Sequence, residues 1–184
     1  MILGKLADVE QYERARKINV ELWSSLLATS QQTLHNTPPA DTLAAQLHAH
    51  QFKLLANQAL WAATEVSTDV RWKYAAQRFF SESVLHRWQN LCQSGKRFQM
   101  NKFIAGLRHE HVVERSSLIA PLLAARTQSE IASTLERAVS CVVTKHEDLR
   151  LSRKHVGWDR YRLADDGPIR VWDRQMGAWM PETT

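Results

Sequence analysis

The chain has 184 residues, 24 Lys/Arg against 19 Asp/Glu, a net charge of +5 with histidine neutral, and 44% hydrophobic and 23% charged residues. This is ordinary globular composition rather than that of a disordered chain. The longest nearly apolar run, residues 118 to 125, is far short of the roughly 18 residues a membrane span needs. Two cysteines, Cys92 and Cys141, with no C-x-x-C spacing exclude a disulfide framework. The N-terminus turns acidic too soon for a signal peptide, so a cytoplasmic protein with no membrane partner is expected.

Apolar residues Val9, Tyr12, Ala15, Leu22, Leu26 and Leu27 recur at helical spacing and predict a first helix over 6–34. Asn36-Thr37-Pro38-Pro39 stops it, since a residue before proline is driven out of the helical region. Asp41 then caps a second helix reaching about Val66, with Leu43, Leu47, Leu54 and Trp61 on one side. Ser67-Thr68-Asp69 is a break before a third helix over 70–93, which Ser94-Gly95 ends. Shorter helices are expected over 99–113 and 115–125. Thr127-Gln128-Ser129-Glu130 is a capping box opening another helix, and Ile131, Leu135, Ala138, Val142 and Leu149 hold one helical phase, so it is expected to run unbroken over 128–150. From Trp158 onward the residues alternate, and a turn at Asp173 to Gly177 predicts a β-hairpin. The expectation is therefore a mainly α protein: a bundle of five to six helices over 1–155, then a small antiparallel β-hairpin over 156–184.

The stretch from Arg71 to Arg108 stands apart. Eight cations (Arg71, Lys73, Arg78, Arg87, Lys96, Arg97, Lys102 and Arg108) face one acid, Glu82, so it carries +7 and the rest of the chain sums to −2. Seven aromatics are interleaved. Clustered cations attract a polyanion, and flat rings between them stack on bases or fill a core. The cations are expected to bind and most of the rings to pack. Phe98, in the loop with Lys96 and Arg97, is the ring placed to stack on a base. Arg160, Arg162 and Arg170 form a second expected phosphate-contacting stripe on the alternate face of the hairpin.

The order helix, helix, helix, hairpin over 112–181 resembles a winged helix-turn-helix DNA-binding unit. That resemblance implies a second helix at 127–135, a recognition helix at 140–149 offering Ser140, Thr144 and Lys145 to a major groove, and the hairpin as wing. Arg150 and His155 have the R-x4-H spacing of the helical HEPN ribonucleases, a distant resemblance that implies phosphate binding by the arginine and proton transfer by the histidine.

No catalytic residue, cofactor or metal site is expected. His109-Glu110-His111 lacks the i, i+4 spacing that sets two imidazoles on one helical face for zinc, and six glycines leave little material for a phosphate loop. Residues and charge together predict a non-enzymatic nucleic-acid-binding or accessory protein, for DNA or RNA. The rival is an interaction module that docks an acidic partner protein or a second copy, and the third reading is the ribonuclease.

Overall fold

The computed structural model describes residues 3–35, 43–66, 69–95 and 98–181. The helices are α1 (Leu3–His35), α2 (Leu43–Glu65), α3 (Glu82–Gln93), α4 (Met100–Ile104), α5 (Arg115–Ala124), α6 (Gln128–Glu136), α7 (Lys145–Arg150) and α8 (Asp159–Arg162). The strands are β1 (Phe79–Ser81), β2 (Leu107–His111), β3 (Ser140–Thr144), β4 (Val171–Asp173) and β5 (Ala178–Trp179), and Arg71–Ala75 forms a π-helical turn. The fold is mainly helical with a small mixed sheet. No described helix is long and apolar enough to cross a membrane.

The chain divides into two compact units, each assembled from separated segments. The helical unit comprises Arg14–Val66 and Val113–Val139. Its core joins Val20 and Leu27 of α1, Phe52, Ala56, Leu60 and Ala63 of α2, Leu118 and Leu122 of α5, and Ile131 and Leu135 of α6. Burying each of the large side chains contributes about 1.5–3 kcal/mol. The alanines on α2 permit close approach. Arg16 donates from Nε to the Ala63 carbonyl (3.0 Å) and from Nη2 to the Glu136 carbonyl (2.7 Å). One cation therefore satisfies the C-terminal carbonyls of two helices, where the helix dipole is negative.

The sheet unit comprises Met1–Glu13, Ser67–Val112 and Ser140–Thr184. Its strand order is β2-β3-β1-β4-β5. β1 and β3 are parallel (Phe80 opposite Val142), and every other pair is antiparallel. The boundary expected at residue 155 falls inside this unit. The expected hairpin exists as β4–β5, closed by Gly177 at φ 63, but it is one end of a five-stranded sheet, with β4 paired to β1 and β5 at the edge.

Three expected helices are corrected. The third is a π-helical turn, then β1, then α3: Phe79 and Phe80 are buried in the sheet, and Ser81 caps α3 by accepting from the Val84 N–H. Residues 99–113 are α4 and β2, separated at Gly106 (φ 72), a left-handed conformation that side chains resist. The segment 128–150 is α6, β3 and α7. Cys141-Val142-Val143 is β-favouring and buried throughout, and burial in the sheet outweighs the helical phase of Ala138 and Val142. The segment read as a recognition helix, 140–149, is accordingly a strand and then a short helix, and Ser140 is buried. The alternation read from Trp158 begins instead with the helical turn α8, which puts Arg160 inside and ends the expected arginine stripe.

Candidate polyanion-binding surface

All the expected nucleic-acid-contacting residues belong to the sheet unit. Arg71 opens the π-helical turn, Lys73 lies half-buried within it, and Lys96 and Arg97 lie outside the described residues. Arg78 grips Asp173 with two nitrogens (Nε to Oδ1 2.9 Å, Nη2 to Oδ2 2.6 Å) and lies 4.8 Å from the Phe79 ring. Its hydrogen bond to Asp173 raises the guanidinium pKa above its ordinary value. Arg87 donates to the Phe103 and Ala105 carbonyls and so holds the end of α4. Arg160 is buried, with Nη1 2.8 Å from Glu110 Oε1 and 3.0 Å from the His111 carbonyl. Arg162 pairs with Asp159 (2.9 Å). Arg170 pairs with Glu82 (3.1 Å) over the Trp179 ring (4.2 Å).

The interleaved rings pack as well. Phe98 lies 5.1 Å from Trp88 and 6.0 Å from Phe103, within the cluster that fills one face of the sheet. Arg174, buried, lies 4.4 Å from Phe80 and donates to the Ala75 (2.6 Å) and Gln77 (2.8 Å) carbonyls. Much of the alternation of cation and ring is thus internal cation–π and carbonyl bonding.

Among the described residues, one group of exposed cations sits around the turn from α4 to β2. Lys102 on α4, Arg108 on β2 and Lys145 at the start of α7 are exposed. The Lys145 N–H donates to the Gly106 carbonyl (2.9 Å), and Val143 lies opposite Arg108 in the sheet, so Lys145 and Arg108 are near neighbours. With Arg87 this makes four cations about one turn. The nearest acids in sequence are engaged elsewhere, Glu110 with Arg160 and Glu147 in the capping box of α7. Arg108 is counted in the basic stretch but is not among the expected contacts, and Lys145 is expected to bind only as part of the recognition helix. Their proximity depends on the β2–β3 register.

The rest of the polar chemistry lies on both faces of the sheet. Glu110 is half-buried: burial pushes its carboxyl above the usual range, Arg160 pulls it back, and neighbouring Asp148 pushes it up again. Opposite Glu110 in register lies Cys141, whose thiol burial pushes well up, as burial does the adjacent Tyr161 hydroxyl. Neither is a nucleophile at neutral pH. Arg150, of the R-x4-H pair, donates to the Asp165 and Gly167 carbonyls (both 2.8 Å), and exposed His155 bonds Ser152 through Nδ1 (2.7 Å).

On the other face of β2, His109 and His111 stand side by side, their ring centroids 5.6 Å apart and their planes nearly perpendicular. Tyr74, from the π-helical turn, meets His109 edge-on at 6.4 Å. Residues i and i+2 of a strand share a face, so the missing i, i+4 spacing of a helix does not separate these two imidazoles. The signal in the sequence was H-x-H read with a period of two.

No protein-family model, curated protein or solved structure matches the chain.

Proposed function

We propose that this chain is a non-enzymatic nucleic-acid-binding or accessory protein that holds phosphate backbone with the cations around the α4–β2 turn. The observation that supports this reading is the grouping of Arg87, Lys102, Arg108 and Lys145 about one glycine-bearing turn, three of them exposed. Such a group attracts phosphates without reading sequence, and its affinity falls steeply as released counterions become plentiful. Arg78, Arg160, Arg162 and Arg170 have carboxylate partners of their own, so they are secondary to this grip.

Fluorescence anisotropy with single- and double-stranded DNA and RNA, from about 50 to about 200 mM salt, tests the reading. On duplex DNA each phosphate contact contributes about −0.9 to the slope of log affinity against log salt. The triple variant Lys102→Ala/Arg108→Ala/Lys145→Ala flattens that slope by several such steps. A flat slope for the wild type, or an unchanged slope for the variant, overturns it.

A specific observation favours the interaction module as second reading. Leu47, Leu54 and Trp61 on α2 stand outward at seven-residue spacing, with Leu43 82% exposed at the start of the same helix. Ile18, Leu22 and Leu26 on α1 are likewise exposed. A seven-residue apolar repeat is the seam of paired helices. Light scattering of wild type and Leu47→Lys/Leu54→Lys tests it: a stable monomer with no change on substitution removes self-association.

A further inference from the structure

The pair on β2 offers what metal chemistry needs and a packed core does not. Two imidazoles project from one face of one strand, with one ring nitrogen of each within 4.8 Å of the other. Two zinc–nitrogen bonds of about 2.0–2.1 Å meeting at a tetrahedral angle set their nitrogens about 3.4 Å apart, within reach of small side-chain rotations. The strand fixes both Cα positions: His109 lies opposite Val142 and His111 opposite Ser140, where the edge strand β2 pairs with β3. Both ring nitrogens of His109 and Nε2 of His111 are shielded from solvent. Tyr74 walls one side from a π-helical turn, a form of helix that gathers at functional sites.

We infer that His109 and His111 form a chelating seat for a first-row transition metal that favours imidazole, with Zn²⁺ the leading candidate. Neutral imidazoles suit Zn²⁺, Ni²⁺ and Cu²⁺, whereas Mg²⁺ and Ca²⁺ take oxygen ligands. Two protein nitrogens leave further coordination positions for water or an added oxygen ligand. A metal held at this point braces β2, the edge strand that carries Arg108.

The experiment is Zn²⁺ titration of the full chain against a chromophoric chelator, with Co²⁺ absorption as a second probe. His109→Ala and His111→Ala each lower zinc affinity tenfold or more and the double variant abolishes binding, whereas His146→Ala, at an exposed position, leaves it unchanged. Tryptophan fluorescence checks that the variants remain folded. Should they unfold, X-ray absorption at the zinc edge decides, on a chain whose exposed His50, His86, His146 and His155 are replaced by alanine. Two imidazole nitrogens at about 2.0 Å support the seat. Zinc without imidazole neighbours, or undiminished affinity in a folded double variant, overturns it.

Discussion

The Ser81 hydroxyl donates to the Glu147 carboxylate at 2.7 Å, and that bond ties the N-cap of α3 to the capping box of α7. Both residues are buried, and the same carboxylate oxygen accepts from the Thr144 N–H (2.8 Å) and hydroxyl (2.9 Å). Two parallel strands thus deliver two helices whose first turns share an acceptor. Glu147→Ala leaves these buried donors without it and costs about 2–4 kcal/mol. Ser81→Ala costs about 1–2 kcal/mol. A double-mutant cycle read by urea unfolding should give a coupling of about 0.5–3 kcal/mol; additive losses would show that the caps act independently.

Arg78 and Asp173 make the second such bond, and Asp173 also accepts from the Gln175 (3.0 Å) and Met176 (3.1 Å) N–H groups in the β4–β5 turn. Asp173→Ala strands a guanidinium and two turn amides, at a cost of about 3–5 kcal/mol. Lys102→Ala, by contrast, changes stability by less than about 0.5 kcal/mol. Thermal unfolding of the two variants separates a cation that holds the fold from one that is available to a ligand.

Glu110 makes stability depend on pH with a definite sign. Its folded-state carboxyl titrates above the ordinary 4.5, so from that value up to the raised one the folded chain keeps a proton that the unfolded chain has lost. Stability therefore falls as pH rises through that window. Glu110→Gln keeps an oxygen for Arg160 and removes the titration, so the variant gains on the wild type across the same window. Urea midpoints at steps from about pH 4 to about pH 8 read this directly, and parallel curves would exclude it.

The two thiols differ in access. Cys141 is fully buried with its pKa pushed well up, while Cys92 is half-buried on α3. Ellman's reagent should take one equivalent from the native protein and a second only after denaturant is added. Two fast equivalents would mean that β3 opens readily.

The long helices were legible because their signals are local: α1, α2 and α5 follow apolar spacing at 3.6 residues. The sheet was less so. Phe79–Ser81 is three residues long and is a strand only because β3 and β4 flank it. One clue at 140–150 was available: Thr144-Lys145-His146-Glu147 repeats the pattern of Thr127-Gln128-Ser129-Glu130, and a second capping box marks a second helix start. The candidate surface was harder still. A count of cations gives their number, but pairing with Asp173, Glu110, Asp159 and Glu82 is a property of register and burial. Such pairing engages four of the expected arginines, while Arg108 and Lys145 stand exposed.

The interleaving of the two units constrains how the chain can be made. β1 acquires its neighbours only when residues 140–144 and then 171–173 arrive, after the segment 113–139 has gone to the other unit. During synthesis a nascent β1 has both flanks unpaired until residues 140–144 have left the ribosome, and one flank unpaired until 171–173 follow. No single cut yields either unit intact, and a chain stopped short of Val171 retains an open sheet, the kind of edge on which newly made proteins adhere to one another.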